Sequence, residues 1–164
     1  MNSRKLVPVL TIAVLILAII ALFISCSKKD SNSKAILYYI NGSSFKLVAV
    51  ETYLGVPVTV EKVLEALFAG QDKGYLENLV PEGTKVLSAT VEKNTLTLNL
   101  SKEFTKISRG LTSDNLLVMS VVSTAIDAAG VKQVKILIDG KEKPVFNNSV
   151  YLKSPIQKDS SLIE

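Results

Sequence analysis

One cysteine and no histidine set the limits of the chemistry open to this chain of 164 residues. Without histidine there is no Ser-His-Asp or Cys-His catalysis and no imidazole to hold a metal. A single thiol cannot close an intrachain disulfide. Carboxylate chemistry and the thiol of Cys26 remain. A hydrolase using paired carboxylates needs them about 5–9.5 Å apart across a cleft. Asp72, Asp114, Asp127 and Asp139 are the candidates, and most of them fall on different predicted elements. The expectation is a protein that is not an enzyme, with no catalytic, cofactor-binding or metal-binding residue.

Cys26 stands where an apolar run stops. Met1-Asn2-Ser3-Arg4-Lys5 precede a predominantly apolar stretch from Leu6 to Ile24, and Ser25-Cys26 follow. A short basic region before an apolar run is the pattern of an export signal. The positive charges stay in the cytoplasm, so the C-terminal side is exported. Two anchors fit residues 1–26. The run, broken only by Pro8 and Thr11, is long enough to span a bilayer as a helix. Alternatively, Phe23-Ile24-Ser25-Cys26 resembles the lipobox of bacterial lipoproteins, with Cys26 as the lipidated residue. That family prefers leucine where this chain has Phe23. Acylation would anchor the chain through buried CH₂ groups at about 0.8 kcal/mol each. The expected location is the extracytoplasmic face of a cell membrane, held by lipid at Cys26 or by a single transmembrane pass.

Composition must be read with that segment set aside. The hydrophobic share of 48% owes much to it, and so does the net charge of +4. Removing Arg4 and Lys5 leaves the remainder at about +2. No basic stripe with interleaved aromatics is present, so no nucleic-acid partner is expected. Residues 27–33 (Ser-Lys-Lys-Asp-Ser-Asn-Ser) have nothing apolar to bury and read as a flexible tether. Lys28 and Lys29 could touch anionic headgroups or simply be solvated.

The elements that would position any site begin at Lys34. Residues 35–40 and 45–53 read as two strands of a hairpin joined at Asn41-Gly42. Thr59 caps a helix whose stripe is Val60, Val63, Leu64, Leu67 and Phe68, and Gly70 ends it. Residues 75–79 suggest a single helical turn, and Pro81-Glu82-Gly83-Thr84 a tight turn. Residues 85–92 and 95–100 form the clearest hairpin, with Leu96, Leu98 and Leu100 alternating with polar residues. Thr112 or Ser113 caps a second helix running to about Ala129, with Asp114 suiting its dipole. The apolar face of that helix is wide enough to imply burial on more than one side. Residues 131–138 are a strand. From Lys141 the chain reads as loop, with a short edge strand near Val150–Leu152, and from Ile156 it reads as tail. The order β-β-α-β-β-α-β predicts an α+β domain of two layers over residues 34–157, a mixed sheet with two helices on one face and a tail at 158–164.

Several phrases then align with a known family. They are Leu37-Tyr38-Tyr39; residues 63–70, Val-Leu-Glu-Ala-Leu-Phe-Ala-Gly; residues 79–87, Leu-Val-Pro-Glu-Gly-Thr-Lys-Val-Leu; residues 98–104, Leu-Asn-Leu-Ser-Lys-Glu-Phe; and residues 130–141, ending Asp139-Gly140-Lys141. In this order and spacing they resemble the GerMN domain of sporulation and spore germination, over about residues 36–157. One departure is Gln71, where the family commonly has proline after the glycine. The resemblance implies a non-enzymatic extracytoplasmic domain, often on a lipoprotein, working in envelope assemblies through protein partners or self-association. A binding module for peptidoglycan or another envelope ligand is the alternative. The phrases also have plain structural readings: a turn needs Pro81 to Thr84 and Asp139-Gly140, and Asn99 meets water or bonds the backbone.

Overall fold

The computed structural model describes residues 32–71 and 74–164. Cys26, the anchor and most of the tether lie outside the described residues, as does Asp72. The first strand starts earlier than the tether was expected to end. β1 runs Asn32–Asn41 and pairs antiparallel with β2, Lys46–Gly55, in unbroken register from Asn32↔Gly55 to Asn41↔Lys46. Asn41 shapes the turn between them: its Oδ1 accepts from Ser43 N–H at 3.0 Å.

Helix α1 spans Val60–Ala69 and has the predicted ends. The Thr59 hydroxyl accepts from Lys62 N–H at 3.3 Å, and Gly70 turns out of the helix at φ 78°. Val63, Leu64 and Leu67 are buried along one stripe. Residues 75–79 do not form the expected helical turn. Leu76–Glu77 is β3, paired with Ile40 and Asn41 of β1. The outward backbone groups at the end of β1 need partners, and a strand supplies them where a helical turn could not.

β4 (Val86–Glu92) and β5 (Thr95–Leu100) make the second hairpin, with a register shift between Val86 and Ser88. Leu96, Leu98 and Leu100 are fully buried, as their alternation requires. A 3₁₀ turn at Lys102–Thr105 seats Phe104 against Phe146, with ring centroids 5.1 Å apart. Helix α2 spans Leu111–Ala129. β6 (Gln133–Ile138) then lies parallel to β5. Four short strands follow: β7 (Lys141–Glu142), β8 (Val145–Phe146), β9 (Val150–Tyr151) and β10 (Ile156–Gln157).

The domain is α+β, but its strands hydrogen-bond as two principal sheets rather than one: β2-β1-β3, and β10-β6-β5-β4 with β7 on β6. Helix α2 is the reason. Every residue from Leu116 to Ile126 is buried, so this helix is covered on all sides. Its hydroxyls take the place of a neighbouring strand on β1. Thr124 Oγ1 accepts from Tyr38 N–H at 3.0 Å, and Ser120 Oγ donates to Tyr38 C=O. The edge of β1 at Tyr38 is thus satisfied by a helix, and strand pairing on that edge is confined to β3 at Ile40 and Asn41.

The predicted cap of α2 is also replaced. Gly110 occupies the N-cap, with no side-chain cap bond. Asp114 instead folds back inside the first turn. Its carboxylate accepts from Arg109 N–H at 3.0 Å, Ser108 Oγ at 2.9 Å and Ser149 Oγ at 3.2 Å. It thereby ties the segment before α2 to the β8–β9 turn.

Residues 156–164 do not trail away as a tail. β10 pairs with the start of β6. Lys158 Nζ bonds Asp127 at 2.8 Å and sits 4.3 Å above the Tyr38 ring. A 3₁₀ turn, Ser160–Leu162, follows, and Ile163 bridges Leu47 in the parallel sense. Ile156, Leu162 and Ile163 cover a second apolar cluster of Tyr38, Ile40, Leu47, Leu116 and Met119. Burying those side chains is what holds the segment down.

Candidate functional site

Three of the phrases singled out in the sequence meet at the end of the domain where α2 begins. Thr84 closes the Pro81–Thr84 turn, its N–H donating to Pro81 C=O at 3.1 Å. Gly83 within it has φ 79°, a conformation that favours glycine. Lys85 N–H donates to Ser101 Oγ, and Ser101 N–H donates back to Lys85 C=O, both at 3.0 Å. Asp139 Oδ1 accepts from Lys102 N–H at 3.1 Å, and Asn99 Oδ1 accepts from Gly140 N–H at 2.8 Å. Asp139 and Gly140, with φ 47° and 73°, make the two-residue turn between β6 and β7. Asn99 therefore bonds the backbone, one of the two roles open to it in the sequence.

These interlocked turns leave an open groove of about 520 Å³ lined by Glu82, Gly83, Lys85, Glu103 and Lys106. Glu103 and Lys106 pair at 3.2 Å. The Ser101 hydroxyl, the backbone N–H at Glu103 and Lys106 together hold the Glu103 carboxyl down at about 2. Glu82 and Lys85 have no ion-pair partner among the described residues. The groove so presents one free carboxylate and one free ammonium. A smaller cavity of about 260 Å³ lies between the start of β1, α1 and the end of α2, lined by Lys34, Ile36, Val58, Val63 and Asp127 among others.

The described candidate carboxylates, Asp114, Asp127 and Asp139, are not brought together. Asp114 is buried at the start of α2, Asp127 is bonded to Lys158 and to the Tyr38 hydroxyl at 2.7 Å, and Asp139 holds a turn. Among the described residues no group of three or more Cys, Asp or Glu side chains could hold a metal ion. Sequence reading missed the Tyr38–Asp127–Lys158 cluster. Its members are far apart in the chain, and Lys158 lay in the supposed tail.

A family model described as Germane, sporulation and spore germination, matches residues 36–144. The chain belongs to this family. Its fold is similar to that of the tandem GerMN domains of the sporulation protein GerM from Bacillus subtilis, with TM-score 0.69 and 20% identity over 84% of this chain. It spans 50% of that tandem structure. The first GerMN domain of the same protein gives TM-score 0.57 and 22% identity, covering 77% of this chain and 96% of the domain. A candidate lipoprotein from Clostridium perfringens gives TM-score 0.57 and 19% identity, covering 82% and 93%. No curated protein sequence matches. At these identities the structural likenesses establish the fold, and the Germane match establishes the family.

Proposed function

We propose that this Germane domain is a non-enzymatic module, held at the extracytoplasmic face of a cell membrane through lipid on Cys26, that works by joining protein partners in an envelope assembly. The observation that carries this reading is the use of the carboxylates. Asp114, Asp127 and Asp139 each hold one part of the fold to another, so none is free to act as a general acid or base. Family membership and the likeness of the fold to the sporulation protein GerM support the same reading. Among the described residues no helix is long and apolar enough to cross a membrane. Retention therefore rests on residues 1–26, where Cys26 follows the apolar run.

The lipid anchor is tested by metabolic labelling with a fatty acid. The wild-type chain takes up label and is shortened at Cys26, whereas Cys26→Ala does neither. A full-length, unlabelled wild-type chain would assign the anchor to a transmembrane helix. Assembly is tested by chemical cross-linking in the native membrane. A reproducible multi-protein complex is expected, and a chain recovered only as monomer counts against it.

The groove supports a second reading, a module that binds an envelope ligand such as peptidoglycan. The unpaired Glu82 and Lys85 favour it, because a wall peptide carries both amino and carboxyl groups. Co-sedimentation with purified wall, lost in Glu82→Lys/Lys85→Glu, is the expected outcome under that reading.

A further inference from the structure

The chain reaches its described domain at a fixed point. Residues 27–31 separate Cys26 from Asn32, where β1 starts. The Cα–Cα steps between those two residues span at most about 20 Å. β1 itself is ten residues long and extends about 30 Å to Asn41. A domain resting on its Asn41 end would lift Asn32 about 30 Å above the lipid, beyond that reach. With residues 1–26 held in a membrane, the Asn32 end of the sheet is therefore kept beside the bilayer.

What that end exposes suits a lipid surface. Asn32 pairs with Gly55, so the segment that leaves β2 lies at the same end. Tyr53 is 65% exposed and Val56 48%, and Gly55 and Pro57 are exposed with them. Leu54 and Val58 pack against the main core, and Lys62 Nζ donates to Pro57 C=O at 2.9 Å, so the tip is held at its roots. No residue from Thr52 to Val60 is charged. The acidic residues that flank it in the chain are offset: Glu51 pairs with Lys34, and Glu61 stands next to Lys62. In the tether, Lys28 and Lys29 outnumber Asp30. Anionic headgroups therefore meet no uncompensated negative charge here.

We infer that the tip from Tyr53 to Pro57 docks on the bilayer, with the Tyr53 ring and the Val56 side chain at the boundary between headgroups and acyl chains. This rests on the retention reading above. It holds for a lipid on Cys26 and for a transmembrane helix alike, since both leave the bilayer where the apolar run stops. Two exposed side chains would not hold a free domain on a membrane. Beside an anchor they suffice, because tethering makes their docking intramolecular. A protein partner fits this end less well, since it would have to enter the same gap of about 20 Å. Docking also orients the domain. α2 runs back along β1, with Asp127 and Ala128 near Lys34 and Ile36, and Leu116 clustered with Ile40. The start of α2 is thereby turned outward, about 30 Å further from the lipid.

The chain has no tryptophan, so Val56→Trp in the full chain gives a single fluorophore at the tip. Phe45→Trp gives one at the far end of the hairpin, where Phe45 is 58% exposed. Each is reconstituted with its anchor in vesicles of phosphatidylglycerol and phosphatidylethanolamine that carry bromine on the upper acyl carbons. The emission of Val56→Trp should shift to the blue and be quenched, and that of Phe45→Trp should do neither. Tyr53→Trp is a second reporter at the tip should Val56→Trp fold poorly. Tyr53→Ser added to Val56→Trp should lower the ratio of docked to undocked domain about tenfold, with thermal stability nearly unchanged. Equal quenching at both ends, or none at the tip of a chain that sediments with the vesicles, overturns the proposal. So does a blue shift seen only in native membranes, which would assign the tip to a partner protein, or one that grows with the ratio of protein to lipid, which would assign it to a second copy. A chain that does not sediment with the vesicles removes the retention reading, and the docked tip with it.

Discussion

Replacing Thr124 by valine removes one hydroxyl from α2 and keeps the shape of the side chain. Thr124 is fully buried, and its Oγ1 accepts from the N–H of Tyr38, itself only 5% exposed. No water can replace the lost acceptor at such a site. The cost is that of an orphaned buried amide, about 1–3 kcal/mol, with almost no packing term because a methyl group fills the same space. We take ~2 kcal/mol as the expected loss. For a domain of this size that is a fall of about 8 °C in Tm. Ser120→Ala should cost about 1 kcal/mol, because a carbonyl keeps its second lone pair and tolerates loss better. Ser123 is the internal control. It lies on the same helix, is equally buried, and its hydroxyl has no hydrogen-bond partner among the described residues. Ser123→Ala should be neutral or stabilising by up to about 1 kcal/mol. The assay is thermal and urea unfolding of residues 32–164, with hydrogen exchange read at the Tyr38 amide. Thr124→Val should accelerate that amide selectively. If Thr124→Val and Ser123→Ala unfold alike and the Tyr38 amide is unchanged, helix hydroxyls do not take the place of a strand on β1.

Asp114→Ala should destabilise by about 3 kcal/mol in urea unfolding, because three donors lose a buried acceptor at once. Asp114→Asn should recover only part of that, since its amide nitrogen meets donors. Lys158→Ala should cost about 1 kcal/mol, as a partly exposed ion pair does, and should speed exchange of the Glu164 amide bonded to Leu47. Glu103 gives a pH signature. Its folded value of about 2 lies below the ordinary 4.5, so its contribution is present above 4.5 and is lost as pH falls from there toward 2. The difference in unfolding midpoint between wild type and Glu103→Gln should accordingly be constant near neutrality and shrink over that acid range.

Local signals carried much of the fold into the sequence. Thr59, the Val63–Leu64–Leu67 stripe and Gly70 fix α1 through contacts local in the chain, so its ends were readable. The alternation of Leu96, Leu98 and Leu100 marked β5 for the same reason. The splitting of the sheet was not readable. It depends on Ser120 and Thr124 meeting a strand more than eighty residues earlier, and mid-helix hydroxyls carry no pattern that names such a partner. The start of α2 was misplaced because Asp114 satisfies donors upstream of the helix, a bond that competes with the Thr112 or Ser113 cap. The last nine residues looked like a tail because Ile156, Leu162 and Ile163 are too sparse to show a period. Of the candidate site, the turns at Gly83 and Asp139-Gly140 were legible from their glycines. The meeting of the two turns beside Asn99 and Lys102 was not, since it is set by β4 pairing with β5 and β5 with β6.

On the proposed function this domain works by binding proteins at the membrane surface and not by catalysis. Quantitative cross-linking of the full chain in its own cell membrane separates the two, comparing wild type with Cys26→Ala and with Asp127→Asn. A multi-protein complex is expected that is lost when Cys26 is replaced and persists when Asp127 is neutralised. A chain that stays monomeric in the membrane, together with a wall-cleaving activity lost in Asp127→Asn, would contradict it.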